Sequence, residues 1–261
     1  MKFEDKVEQL RIKKHGGKET KEFLNDVITM AEGEAFEYLF GEVLFCDTKI
    51  DLSLRPMIPR PETEFWVRQA IEEIADGENK FVIRALDLFS GSGNVGLAML
   101  KQFDNAIVDM IEVDPRLKEQ IEISIIKNNI KKTRTRVLTG DTFTGAVGAY
   151  DVITAVPPYV PSEMLDEVMQ ELHAEDPLSF FDKEDGYYYH KQILSQAKKF
   201  LKDKGVLYLE FDITQREKIE ELANEYGFTE YHFLKDPYGH ECVIVITSFV
   251  LPPVESAEVK V

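Results

Sequence analysis

The sequence predicts an α/β fold built on a doubly wound, mostly parallel sheet of seven strands. From residue 81 onward, apolar runs of strand length alternate with amphipathic segments of helix length, a pattern typical of such a sheet. The expected strands are 82–88, 106–112, 135–139, 151–156, 205–211, 228–234 and 241–249. The expected helices are roughly 94–102, 115–129, 185–202 and 214–226. Only KDPYGHE joins the last two strands, which is too short for a parallel crossover, so we expect an antiparallel last strand.

The first 62 residues are expected to form smaller elements in front of this sheet. Helical periodicity runs through 3–14 and 19–40, with a break at His15-Gly16-Gly17. The segment EVLFCDTKIDL (42–52) predicts a β-hairpin, and a proline-punctuated linker then leads into a helix from Glu62 to Ala75. The expected organisation is a small helical region (1–41), a hairpin and linker (42–62), a ligand-binding sheet domain (63–250) and a disordered tail (251–261).

Composition excludes several classes of function. The net charge of −17, from 31 basic and 48 acidic residues, would repel phosphate backbones, so we expect no direct nucleic-acid binding. Cys46 and Cys242 are far apart in apolar segments and offer neither a disulfide framework nor metal-ligand spacing. No apolar run approaches the ~18 residues that a membrane span needs. These features predict a cytoplasmic protein with no membrane partner and no metal.

A glycine-rich loop follows the first expected strand of the sheet. The letters GSGNVG (91–96) match G-x-G-x-x-G, and Glu112 ends the second strand. This combination is typical of a dinucleotide site, in which a carboxylate grips two ribose hydroxyls. S-adenosylmethionine also contains a ribose but has no pyrophosphate, so both ligands fit the loop.

Three acids stand at the ends of successive expected strands. Asp87 ends the first strand, where it can hold the ammonium of the methionine end of S-adenosylmethionine. Glu112 can accept from the ribose hydroxyls, and Asp141, in LTGDTF, can accept from the adenine amino group. Gly91 and Gly93 would let the backbone approach the ligand. Either Asp87 or Asp141 alone fits a loop or cap residue equally well, but the set favours a ligand site.

The turn Pro157-Pro158-Tyr159 after the fourth expected strand decides between the two ligands. A dinucleotide dehydrogenase has no evident use for it. Methylation of a planar nitrogen needs acceptors for the N–H groups, so that the nitrogen lone pair faces the methyl group. Two prolines leave carbonyls free to accept and offer no competing donors, while an aromatic ring packs on a flat amide or base. A proline-rich loop without function would explain Pro-Pro but not the position or the tyrosine.

At these residues the chain resembles the protein-(glutamine-N5) methyltransferases of peptide chain release factors, the HemK/PrmC type. The most specific segment is PMIPRPETEF (56–65), which is similar to the family's linker before its catalytic domain. LDLFSGSG resembles the cofactor loop, with Phe89 where glycine is commoner. EVDP, GDTF and DGYYYHKQIL resemble later family segments in the same order. The N-terminal helical region is shorter than is usual in the family.

The resemblance implies a class I S-adenosylmethionine-dependent methyltransferase fold, S-adenosylmethionine as cofactor and a release factor as partner. The residues implied for the methionine and ribose parts of the cofactor site are Asp87, Ser90, Gly91, Gly93 and Glu112. Those implied for the adenine edge are Asp141 and Thr142. Those implied for catalysis beside the substrate glutamine are Val156, Pro157, Pro158 and Tyr159. Those implied for the entrance are Arg60, Pro61 and Glu62.

Val156 departs from the family's Asn-Pro-Pro-Tyr motif. The asparagine supplies an acceptor and a donor to the target amide, and valine supplies neither. An unpaired buried amide hydrogen costs about 1–3 kcal/mol, or roughly 5- to 150-fold in rate. Thr154 lies on the same strand face, but one step deeper, so we do not expect it to compensate.

The sequence leaves three hypotheses open. The chain is a glutamine methyltransferase with impaired activity, an N-methyltransferase for another substrate, or a non-catalytic cofactor-binding module that serves a protein partner. A dinucleotide oxidoreductase is a distant fourth.

Overall fold

The computed structural model describes residues 2–76, 82–164 and 174–247. Its centre is a seven-stranded, mostly parallel sheet. The expected fold class is confirmed. The strands are β3 (Ile83–Leu88), β4 (Ala106–Glu112), β5 (Thr135–Thr139), β6 (Tyr150–Ala155), β7 (Leu201–Glu210), β8 (Tyr231–Lys235) and β9 (Glu241–Thr247). Their order across the sheet is β5-β4-β3-β6-β7-β9-β8. The first five strands pair in parallel, whereas β9 runs antiparallel to both β7 and β8.

Helices cover both faces of the sheet. They are α4 (Pro61–Asp76), α5 (Asn94–Gln102), α6 (Pro115–Lys127), α7 (Tyr188–Phe200) and α8 (Arg216–Glu225), counted after three N-terminal helices. Trp66, Val95 and Ile121 bring α4, α5 and α6 into one core cluster. Ile193 and Leu222 bring α7 and α8 into a second cluster on the opposite face. This is the arrangement that alternating β and α segments predict.

The N-terminal region packs in front of the sheet. Its helices are α1 (Phe3–Gln9), which continues as a π-helical stretch (Leu10–Lys14), α2 (Lys21–Ala31) and α3 (Phe36–Phe40). The helical pattern of 19–40 is broken at Gly33, whose φ is 108°. The hairpin of β1 (Glu42–Phe45) and β2 (Thr48–Asp51) packs on α6. There Lys127 Nζ forms an ion pair with Asp51 Oδ2 at 2.6 Å.

Several boundaries differ from the expected ones by a few residues. The helix expected from 185 begins at Tyr188, because the buried carboxylate of Asp182 accepts the backbone N–H groups of Gly186 and Tyr188 at 2.9 and 3.1 Å. The strand expected at 228–234 begins at Tyr231. The end of the strand expected at 241–249 and the tail expected to be disordered lie outside the described residues.

Candidate active site

A cleft opens at the carboxyl ends of the parallel strands. It lies where the strand order reverses, between β3 and β6, which is the position at which doubly wound sheets bind ligands. The predicted site residues that line it are Arg60, Asp87, Ser90, Gly91, Glu112, Asp141, Thr142, Val156 and Pro158. The fold therefore gathers residues from five separate segments of the chain at one place.

Five predicted site residues are not part of the cleft wall. They are Pro61, Glu62, Gly93, Pro157 and Tyr159. Pro61 and Glu62 are exposed in the first turn of α4, and Pro157 is buried beneath the turn. Tyr159 directs its hydroxyl away, to within 3.4 Å of Glu210 Oε1. Each of these five residues is adjacent in sequence to a residue that lines the cleft.

Asp87 is a buried carboxylate at the inner wall of the cleft, with 2% of its surface exposed. Its Oδ1 accepts from Thr154 Oγ1 at 2.7 Å, and its Oδ2 accepts from the Gly96 N–H at 3.1 Å. Burial raises the pKa of Asp87 to about 6, because these hydrogen bonds only partly replace water. A bound cation beside Asp87 would restore the ionised form.

Glu112 holds the loop that follows β3. Its Oε2 accepts from the Gly91 N–H at 2.8 Å, and its Oε1 accepts from the Asp114 N–H at 2.9 Å. Each carboxylate oxygen keeps a second lone pair, so both can still accept from hydroxyl groups in the cleft. Burial raises the pKa of Glu112 above its usual value.

Asp141 stands at the exposed rim of the cleft. Lys183 lies 3.1 Å from its Oδ2, and the Thr142 hydroxyl donates to its Oδ1 at 2.9 Å. The side chain is 45% exposed, in contrast to the buried Asp87 and Glu112. The rim is therefore an exposed hydrogen-bonding edge, while the interior of the cleft carries the two buried carboxyl groups.

Phe89 has a backbone conformation that favours glycine. Its φ of 56° lies in the left-handed region, which costs a residue with a Cβ about 1–2 kcal/mol. The ring lines the cleft and packs edge-on against Tyr189, with 5.0 Å between centroids. This aromatic contact offsets part of the backbone strain.

Val156 follows the end of β6 and lines the cleft beside Pro158. Its side chain is half-buried and packs against the core cluster that contains Trp66. Thr154 does not reach the position of the missing amide, since its hydroxyl already donates to Asp87 and the residue is 2% exposed. The expectation that Thr154 leaves the departure at Val156 uncompensated therefore fits the geometry.

Two further polar residues, neither of them a predicted site residue, belong to this region. Thr63 lines the cleft, and Glu210 lies behind it with 7% of its surface exposed. Thr63 stands in the PRPETE segment, in which Arg60, Pro61 and Glu62 are the predicted site residues. Glu210 ends β7, so the rule that selected Asp87 and Glu112 at strand ends would also have found it.

The linker before α4 is fastened over the cleft by Glu175. The buried Glu175 carboxylate accepts from the Ile58 N–H at 2.8 Å and from Arg60 Nη2 at 2.6 Å.

Within residues 2–76, 82–164 and 174–247, no three His, Cys, Asp or Glu side chains are grouped to hold a metal ion. In the same ranges no helix is both long and apolar enough to cross a membrane.

Comparison with known proteins identifies the family. The methyltransferase small domain family matches residues 73–178. A release factor glutamine methyltransferase from Thermodesulfovibrio yellowstonii is 30% identical over 82% of this chain and 76% of its own length. The chain belongs to the release factor glutamine methyltransferase family. A second member, from Streptococcus pneumoniae, is 28% identical over 87% of this chain and 80% of its own.

Solved structures agree with the fold of a methyltransferase. The catalytic domain of hMettl16 superposes with a TM-score of 0.61 at 14% identity, over 89% of this chain and 83% of that one. This release factor glutamine methyltransferase family member is therefore an S-adenosylmethionine-dependent N-methyltransferase with a Rossmann-like fold. Membership excludes the dinucleotide oxidoreductase hypothesis.

Proposed function

We propose that the methyltransferase modifies the side-chain amide of the glutamine in the Gly-Gly-Gln motif of a peptide chain release factor. The observation that carries the proposal is the single cleft in which Pro158 and Val156, after β6, adjoin Asp87 and Glu112, after β3 and β4. The relatives named for release factor glutamine methylation supply the substrate. This substrate would place the enzyme in the cytoplasm.

The acidic interior of the cleft fits the cofactor. We assign Asp87 to its ammonium, Glu112 to its ribose hydroxyls, and Asp141 with Thr142 to the adenine edge. S-adenosylmethionine held there would supply the methyl group, and its sulfur would keep the electron pair of the broken carbon–sulfur bond. Gly91 lines this part of the cleft and gives its N–H to Glu112, which holds the loop and the carboxylate together.

The turn after β6 orients the amide. Pro157 and Pro158 carry no N–H, so neither offers a competing donor, and the carbonyl of Pro158, which lines the cleft, can accept an amide hydrogen. With its N–H groups held, the amide turns its nitrogen lone pair toward the methyl group, and the proton released afterwards passes to water. Val156 adds apolar contact and no hydrogen bond, so the amide is held less firmly than an asparagine would hold it.

Replacing Val156 with asparagine is expected to raise the rate of methyl transfer. The restored donor and acceptor are worth about 1–3 kcal/mol, or roughly 5- to 150-fold in kcat/KM. The measurement is transfer of labelled methyl from S-adenosylmethionine to a Gly-Gly-Gln release-factor domain. Val147→Asn, at a valine that is 59% exposed in another loop, is the matched control and should leave the rate unchanged.

The same assay tests the second candidate, a cofactor-binding module without turnover, which the valine itself favours. Methylation by Val156→Asn and none by the unaltered chain would select the binding module. Equal rates for the two forms would contradict the role given to the asparagine position.

A further inference from the structure

Thr63 lines the substrate end of the cleft, which is the part that contains Val156 and Pro158. It forms a buried hydrogen-bonded pair with Glu210, which lies behind the cleft wall. Thr63 Oγ1 lies 2.9 Å from Glu210 Oε2, and the two residues are 5% and 7% exposed. Thr63 lines the same cleft as Arg60, Val156 and Pro158. Because Ala155 pairs with Leu209, Val156 and Glu210 stand side by side at the ends of β6 and β7. The pair is thus a neighbour of the position that lacks the asparagine.

Three donors surround the Glu210 carboxylate. The indole N–H of Trp66 also donates to Oε2, and the Tyr159 hydroxyl lies 3.4 Å from Oε1. The Thr63 hydroxyl donates its hydrogen to the same Glu210 oxygen that accepts the indole N–H. The Thr63 oxygen therefore presents only lone pairs to the cleft.

We propose that Thr63 is the hydrogen-bond acceptor for the substrate's primary amide, taking the N–H that the asparagine would take, and that Glu210 is the residue that positions it. The inference rests on the proposed function, since the glutamine amide is the group that Thr63 would hold. A hydroxyl whose hydrogen is fixed elsewhere suits this role, because it has no competing donor to turn toward the amide. The donor half of the missing asparagine is not replaced, which places the gain from Val156→Asn near the lower end of its range.

The carboxylate of Glu210 links three elements around this acceptor. Thr63 and Trp66 belong to α4, Tyr159 to the turn after β6, and Glu210 to β7. Moving any one of these elements would therefore move the Thr63 oxygen relative to the turn. This connection gives Glu210 a reason to be buried without touching the substrate.

The test is a double-mutant cycle between Thr63→Val and Val156→Asn, measured as kcat/KM on the Gly-Gly-Gln domain. Thr63→Val is expected to lower kcat/KM by roughly 5- to 150-fold in the chain with Val156. The loss should be below about threefold when Val156→Asn supplies a second acceptor, because the two residues then share one N–H. Thr63→Ser, which keeps the hydroxyl, should restore most of the activity. Thr229→Val, at an exposed threonine before β8, is the matched control.

Glu210→Gln tests the positioning role. The amide of glutamine can donate to Thr63 and turn the hydroxyl hydrogen into the cleft, which converts the acceptor into a competing donor. We expect a loss of kcat/KM comparable to that of Thr63→Val, with the Kd of S-adenosylhomocysteine unchanged. A merely structural role would weaken S-adenosylhomocysteine binding and lower the melting temperature together.

The outcomes are separable. Equal kcat/KM for the unaltered chain and Thr63→Val, with both active, would overturn this inference and leave the proposed function intact. Equal losses from Thr63→Val with and without Val156→Asn would also overturn it. If neither the unaltered chain nor Val156→Asn methylates the domain while both bind S-adenosylhomocysteine, the proposed function fails and the inference fails with it.

Discussion

Asp87→Asn is expected to weaken S-adenosylhomocysteine binding by at least roughly 30-fold. Asp87 is buried at the inner wall of the cleft and is assigned to the ligand's ammonium. Removing one partner of a buried, hydrogen-bonded charge pair costs about 2–5 kcal/mol, which sets this minimum change in Kd. Isothermal calorimetry at neutral pH measures it. Asp104→Asn, at an exposed aspartate beyond the opposite ends of the strands, is the matched control.

The pH dependence of binding separates charge from shape at the same residue. The pKa of Asp87 is raised from 3.8 to about 6 by burial, so the free protein loses this negative charge as the pH falls through 6. The ammonium prefers the ionised carboxylate, and the affinity should fall about tenfold per pH unit below about 6. In Asp87→Asn this component of the slope should be missing. An unchanged slope in the variant would contradict the assignment of the ammonium to Asp87.

Gly93→Ala is expected to lower the free energy of unfolding by about 2–5 kcal/mol. The φ of Gly93 is 79°, and a left-handed residue with a Cβ costs about 1–2 kcal/mol. A Cβ there would also lie 2.9 Å from Ile121 Cγ1 and 3.2 Å from Leu97 Cδ1, and such overpacking costs about 1–3 kcal/mol. Urea denaturation of the ligand-free protein measures the sum.

Gly91→Ala is the matched control for this prediction. Gly91 is also left-handed, with φ of 51°, but a Cβ there would have no atom nearer than the Phe89 carbonyl oxygen at 4.0 Å. It should therefore cost only the backbone strain of about 1–2 kcal/mol. Equal losses for the two alanines would show that Ile121 does not limit the space at Gly93.

The sheet and the cofactor end of the cleft could be predicted because both depend on local patterns. Strand ends are visible as the ends of apolar runs, so Asp87 and Glu112 could be placed at one edge of the sheet before any contact was known. The short link before β9 was sufficient to predict its antiparallel direction. The late start of α7 could not be predicted, because it depends on where the Asp182 carboxylate lies.

The substrate end was only half predictable. Val156 stood out against the family motif, but Thr63 and Glu210 are separated by 147 positions and meet only when α4 packs on β7. Neither residue is unusual for its own segment, and the Glu210 carboxylate also accepts from Trp66. Long-range side-chain pairs of this kind follow from packing and not from sequence spacing.

The most direct test of the central claim is to locate the methyl group. A Gly-Gly-Gln release-factor domain is incubated with S-adenosylmethionine and the unaltered chain, with Val156→Asn as reference, and the product is fragmented in a mass spectrometer. The account predicts one added methyl group on the side chain of that glutamine, formed more slowly by the unaltered chain. A methyl group on another residue, or an unmodified glutamine with both proteins, would contradict it.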